Sequence, residues 1–187
     1  MKLWTVQNAG IVNAIANNGS YQPIFKESDY VRRDPDLAVL YNTVLNNFNK
    51  IHNSEFPGLV FCFTGADENN NPCEIPDYEA FKTLIRSKKA VIESLWNHLV
   101  EGNAVVLEID IDETFNPMYI DINDFQCLMP PILELPPYDS KEIDNIIKSI
   151  HFGIYRRSPL PSGVIQAHIP QLFKEIVTKI YPTFDFE

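Results

Sequence analysis

Basic residues are scarce in this chain. Fifteen lysines and arginines stand against twenty-five aspartates and glutamates, a formal charge of −10. Broad grip on duplex nucleic acid relies on neutralising many phosphates, so this balance argues against it, although a local basic pocket stays open. Cysteine is equally sparse. Cys62, Cys73 and Cys127 are odd in number and show no CxxC spacing, which speaks against a disulfide framework or a cysteine zinc site and points to a reducing cytoplasm. No run approaches the ~20 apolar residues that a membrane span requires, and the opening MKLWTVQNAG holds no stretch like a signal peptide. GxSxG, HExxH, Walker and GxGxxG motifs are all missing, which removes the common hydrolase, zincin and nucleotide-fold signatures. Internal repeats and domain-sized linkers are absent too. The expectation is one cytoplasmic domain over residues 1–187, without a membrane segment.

What is present is patterned. In Val105–Ile111 the apolar Val105, Leu107, Ile109 and Ile111 alternate with Val106, Glu108 and Asp110, the period of an extended strand rich in β-branched residues. This strand is expected inside the sheet. A short Met118–Ile120 run beyond Pro117 is expected to return antiparallel beside it. Lys2–Val6, Leu59–Thr64 and Val164–Ile169 read as further strands. Asn8 caps a short helix that Gly19 ends, and Asp34-Pro35 starts a longer one striped by Leu37, Leu40, Tyr41, Val44, Leu45, Phe48 and Ile51. Asp77 opens two helices or one bent helix ending at Gly102, and Ser140 opens another with Ile143, Ile146, Ile147 and Ile150 inward. Ala66–Pro76 reads as an exposed loop, Leu133–Asp139 as a surface connector, and Gln171–Ile180 as a final helix. Together these predict an α+β fold, with a mixed, mostly antiparallel sheet covered by amphipathic helices.

Three groupings carry possible chemistry. Glu108, Asp110 and Asp112 share a strand face, where carboxylates two residues apart sit about 7 Å from each other and suit a hard cation such as Mg²⁺. The plainer reading, favoured here, is a solvated face or one paired with lysines, with no metal. Cys62 with His98, His151 or His168 contains the residue types of a nucleophile pair, but a lone cysteine inside a strand is more often a small buried hydrophobe. The basic groups Arg32-Arg33, Arg86/Lys88/Lys89 and Arg156-Arg157 fall at irregular stretches, and a guanidinium fork matches phosphate oxygens. Scattered surface charge is the simpler account of them.

The opening Leu3-Trp4-Thr5-Val6-Gln7, the strand Val105–Ile111 with its downstream Asp-containing turn, and Ile165-Gln166-Ala167 resemble an uncharacterised bacterial and phage domain family whose members begin Leu-Trp-Thr-Ile-Gln. More loosely, Gly19, Leu107-Glu108-Ile109 and Gln166-Ala167 resemble the order of elements in ADP-ribosyltransferase-like proteins related to DNA-modifying toxins. Trp4-Thr5 stands where those toxins carry an aromatic followed by Arg, and His168 stands where they carry a catalytic Glu. Without that carboxylate an oxocarbenium-like transition state lacks its stabiliser, so whether the chain is an enzyme stays open. The resemblance implies a nucleotide-accommodating cleft for NAD or ADP-ribose, lined by Thr5, Gln7, Tyr21, Arg32, Gln166 and His168. Arg32 would contact phosphate, Tyr21 would stack on a base or nicotinamide, and Gln166 and His168 would orient a ribose. That site needs the opening strand close to Val164–Ile169, with Ser20–Arg33 as a lid. The rival expectation is a non-enzymatic acidic module that occupies the basic site of a protein partner, such as a phage-encoded inhibitor of a host defence or nucleic-acid-binding protein.

Overall fold

The computed structural model describes residues 1–28, 31–32, 35–127 and 139–186. The fold is α+β, and every strand pair described in it is antiparallel. In chain order the strands are β1 (Lys2–Asn8), β2 (Ser20–Tyr21), β3 (Val60–Ala66), β4 (Pro72–Cys73), β5 (Ala104–Asp110), β6 (Met118–Asp121), β7 (Val164–Ile169), β8 (Leu172–Phe173) and β9 (Val177–Pro182). The helices are α1 (Ala9–Asn18), α2 (Pro35–His52), α3 (Tyr78–Ser87), α4 (Lys89–Leu99), α5 (Ile122–Cys127) and α6 (Ser140–His151). The main sheet runs β6-β7-β3-β1-β5-β9, with β4 on the end of β3, and β2 pairs with β8 in a small ribbon.

Alternation along β1 divides the molecule into two layers. Trp4 and Val6 face the helices, while Leu3 faces the other way with Val60, Cys62, Leu107, Ile109 and Ala167. On the helical face, α2 and α6 pack over the β6 side through Val44, Phe48, Ile143 and Ile146. Helices α3 and α4 cover the middle through Phe81, Ile85, Ile92 and Trp96. Trp4 stacks on Phe81 with ring centroids 5.0 Å apart, and its indole N–H donates to Ile75 O at 3.2 Å. A buried ring thus keeps its large apolar area without losing a hydrogen bond. Helix α1 and the β2–β8 ribbon cover the second face, with Ile15 and Leu172 in its core.

The helix ends follow their side chains. Asn8 accepts from Gly10 N and begins α1, and Gly19, at φ 78°, ends it by donating to Ile15 O. Glycine adopts this left-handed conformation without the clash of a Cβ. Asp77 caps α3 through Ala80 N, and a break at Lys88 separates α3 from α4. For α6 the cap is Asp139, accepting from Glu142 N, rather than Ser140.

Several expectations change. Strand β5 does lie inside the sheet, between β1 and β9. Met118–Ile120, however, pairs with β7 on the far side of the sheet and not with β5, because β1 and β9 already occupy both edges of β5. Gln171–Ile180 is not a helix: β8, a 3₁₀ turn (Lys174–Ile176) and β9 replace it. The edge of β5 away from β1 pairs with Val177-Thr178-Lys179-Ile180-Tyr181, residues rich in strand formers, and tertiary pairing overrides the helical spacing. The Ala66–Pro76 segment contributes β4 and the buried Asn70. Ile147 is 40% exposed rather than inward. The connector proposed at 133–139 falls outside the described residues except at Asp139.

Candidate functional site

The two ends of the main sheet are built differently. At one end, the last residues of β1, the first of β3 and the first of β5 meet residues 21–25, 27, 28 and 31. Between them lies a cleft of about 750 Å³, lined by Gln7, Asn8, Tyr21, Phe25, Tyr41, Phe61, Glu101 and Ala104 among others. Sites for small ligands commonly fall between about 300 and 1,000 Å³. Part of the wall depends on Gly58, where an added Cβ would stand 2.5 Å from Pro23 O. Phe25 N donates to Pro57 O at 3.0 Å, so Pro57-Gly58 ties the 21–28 segment against the entry to β3.

Three aromatic rings form one side of the cleft. Tyr41 and Phe61 stack with centroids 4.9 Å apart, and Phe25 packs against both. Thr5 Oγ1 donates to Phe61 O at 2.8 Å, and Gln7 Nε2 donates to Thr5 Oγ1 at 2.8 Å. The backbone of Phe61 and the amide of Gln7 are thereby held by one fully buried hydroxyl. Burial pushes the Tyr21 phenol above its ordinary pKa, and the charge of Glu27 pushes it further. Tyr21 is therefore a neutral hydroxyl at physiological pH.

The expected site residues divide around this cleft. Gln7 and Tyr21 line it, and Thr5 braces it from within. Arg32 does not line it: its Nε donates to Lys26 O at 3.4 Å, while the neighbouring Val31 is part of the wall. Arg33 lies outside the described residues. Gln166 and His168 sit on the helical face of β7, 1% and 0% exposed. Strand β3 separates β7 from β1, and Thr5 and Gln7 lie on the face opposite Gln166 and His168. The juxtaposition required of those six residues is therefore not what the sheet order produces, because an intervening strand and the pleat divide them.

His168 nevertheless abuts the cleft from behind. Its ring meets Phe61 edge-on with centroids 4.7 Å apart, and Nδ1 lies 3.1 Å from Met118 O. That carbonyl can only accept, so Nδ1 carries the proton and Nε2 is bare. Burial pulls the imidazole pKa down to about 4, against a small opposing effect of the Met118 carbonyl, and the ring is neutral at pH 7. Nε2 of His168 and Oε1 of Gln166 have no hydrogen-bond partner among the described residues.

The opposite end of the sheet is closed by a polar network. Asp121, fully buried, accepts from Asn123 N at 2.9 Å, Ser162 N at 3.1 Å and Asn70 Nδ2 at 3.3 Å. Asp124 accepts from Ser158 Oγ at 2.7 Å and pairs with Arg156 at 3.3 Å. Burial raises the Asp121 pKa against the hydrogen bonds that lower it, and Asp124 adds repulsion. Burial, Asp121 and Asp124 likewise raise the Tyr155 phenol. The cavity they enclose is about 10 Å³, room for about one water. These acids and Arg156 are spent on holding the 153–163 loop to β6 and α5.

The acidic strand face is also occupied. Glu108 lies 3.7 Å from Lys2 Nζ and 3.9 Å from Lys179 Nζ, and accepts from Thr178 Oγ1 and Tyr181 OH. Among the described residues no three His, Cys, Asp or Glu side chains are placed to hold a metal ion. Cys62 is wholly buried, and burial raises its thiol pKa against a hydrogen bond with Thr5, so it is a poor source of thiolate. No helix of the described residues is long and apolar enough to cross a membrane.

In the sequence Tyr41 was legible only as part of a helix stripe and Phe61 only as part of a strand, while Phe25 lay in a stretch without clear pattern. Their cleft role comes from the sheet end, which no local pattern announces. No protein-family model, no curated protein and no solved structure matches this chain.

Proposed function

We propose that the protein binds a small ligand bearing a flat ring, of about nucleoside size, in the cleft at the end of β1, β3 and β5. The observation that carries this reading is the 750 Å³ cleft itself, with Gln7 and Tyr21 beside the Phe25–Tyr41–Phe61 rings. It retains the nucleotide-accommodating expectation for the base-sized part of a ligand. It omits the ribose and phosphate roles: Gln166 is buried on the helical face of β7, His168 lies behind Phe61, and Arg32 is engaged with Lys26 O. Gln7 and Tyr21 are the polar groups that would orient such a ligand.

Thermal melting tests it. Adenosine, NAD and ADP-ribose are added separately, and a ligand at ~100 times its dissociation constant stabilises by about 2.7 kcal/mol. Adenosine or the larger ligands should raise Tm, and Gln7→Ala with Tyr41→Leu should remove the rise. Retention of the rise in that double variant would place the ligand elsewhere. Loss of it in Arg32→Ala alone would restore a phosphate clamp.

The second reading is an acidic module that docks on a basic protein partner. The formal charge of −10 favours it, and an association rate that falls as salt rises would support it.

A further inference from the structure

The charges around the cleft are of one sign. Its described lining contains the carboxylates of Glu27 and Glu101 and no lysine or arginine. Lys26 and Arg32 belong to the same 21–32 stretch but do not line the cleft, and Arg32 turns its Nε to Lys26 O. His98 also lines it, 3.7 Å from Glu101. Tyr21 and the stacked pair Tyr41–Phe61 line the same cleft. Aromatic faces carry negative quadrupole potential, and they attract cations most when water is partly excluded. A carboxylate rim adds long-range attraction on a protein that is already strongly negative.

We propose that the group recognised in this cleft is an organic cation: a quaternary or protonated amine, or a cationic ring, seated against Tyr41 and Phe61 with Glu27 and Glu101 at the rim. This inference rests on the reading of the cleft as a ligand site and adds the charge of what enters it. Two features make a cation fit better than an anion. A phosphate-bearing ligand would meet two carboxylates with no described guanidinium or ammonium lining the cleft, whereas a cation would meet a lining of aromatic rings and carboxylates. Gln7 also lines the cleft, its Nε2 held by Thr5 Oγ1, so its amide is positioned towards a neutral part of the same molecule.

A matched pair of probes separates charge from shape. Acetylcholine and its uncharged carbon isostere, 3,3-dimethylbutyl acetate, are titrated into the full chain and followed by backbone amide NMR shifts. The cation is expected to shift the amides of Gln7, Tyr21 and Gly102, and the isostere to bind about tenfold more weakly. In the Glu27→Gln/Glu101→Gln variant, both side chains being exposed, affinity for acetylcholine should fall by several-fold while that for the isostere is unchanged. Equal affinity of the two probes overturns the inference and leaves the cleft as a site selecting by shape. If neither probe binds but adenosine raises Tm, the cation inference fails alone. If nothing binds, it fails together with the reading of the cleft as a ligand site.

Discussion

The two ends of one sheet show two uses of the same residue types. At the β6–β7 end, Asp121, Asp124 and Arg156 border a space for about one water, and Asn70, Ser158 and Ser162 bond to the two acids. At the β1–β5 end, Gln7, Tyr21, Glu27 and Glu101 stand around 750 Å³ of open cleft. Polar residues therefore do not mark a site by being clustered. The closed end has the denser cluster and the stronger electrostatic perturbation. Its two acids are taken up by the chain's own amides, hydroxyls and Arg156, although Tyr155 OH and Arg156 Nε beside them have no hydrogen-bond partner among the described residues. Buried donors and acceptors that satisfy each other rigidify a fold, and those left at a cavity wall are available to something else.

Breaking the strand that the two ends share should have the largest effect. Leu107 is fully buried in β5, and Leu107→Ala should cost about 2–5 kcal/mol in denaturant melts. A loss below about 1 kcal/mol would mean that the two ends do not depend on a common core.

Acidification should then separate the ends by sign. His168, behind the cleft, is held to about 4 against an unfolded value of 6.5. A base with a depressed folded pKa contributes stability that is present above pH 6.5 and lost as pH falls towards 4. The loss should approach about 3 kcal/mol at the lower limit, and His168→Asn, which keeps a donor for Met118 O, should not show it. Asp121 runs the other way. Its raised folded pKa makes the protonated form favourable, so stability is present below the unfolded value of 3.8 and lost as pH rises through the folded pKa. Urea melts of wild type, His168→Asn and Asp121→Asn across pH 4–7 should resolve the two slopes, and parallel curves for all three would refute both assignments.

Asp121→Ala at neutral pH removes the acceptor of the Asn123 and Ser162 amides. The cost should be about 2 kcal/mol, the scale of leaving buried donors unmet, partly offset by relief of a buried charge. At the open end Gln7→Ala should cost less than about 1 kcal/mol, because it loses one hydrogen bond at a partly exposed position. If chemical denaturation ranks these two in the opposite order, the contrast between a committed end and an available end is mistaken.

Much of the fold was legible from spacing. The Val105–Ile111 alternation, the Val44–Phe48–Ile51 stripe and the caps at Asn8, Gly19 and Asp77 each report on neighbours within a few residues, so they appear directly in the sequence. Met118–Ile120 was recognisable as a strand but not as the neighbour of β7, because pairing compares edges that lie far apart in the chain. Leu172, Phe173, Ile176, Val177 and Ile180 fit a helical period, yet the open edge of β5 takes Val177–Pro182 as β9. Of the expected site, Gln7 and Tyr21 reach the cleft, while Gln166 and His168 were placed on the right strand and the wrong side.

The sequence by itself determined the acidic charge, the principal helices and the interior strand β5. Composition and short-range periodicity suffice for these, since each depends on the chemistry of a residue and its neighbours within about one or two turns. Only the tertiary structure decided that β3 lies between β1 and β7, and with it which side chains share a face. A pleated strand sends successive residues to opposite layers, so inserting one strand and fixing its register parted Thr5 and Gln7 from Gln166 and His168. The same step brought Phe25, Tyr41 and Phe61 together at the sheet end, where the apolar surface needed for packing also walls a space large enough for a ligand.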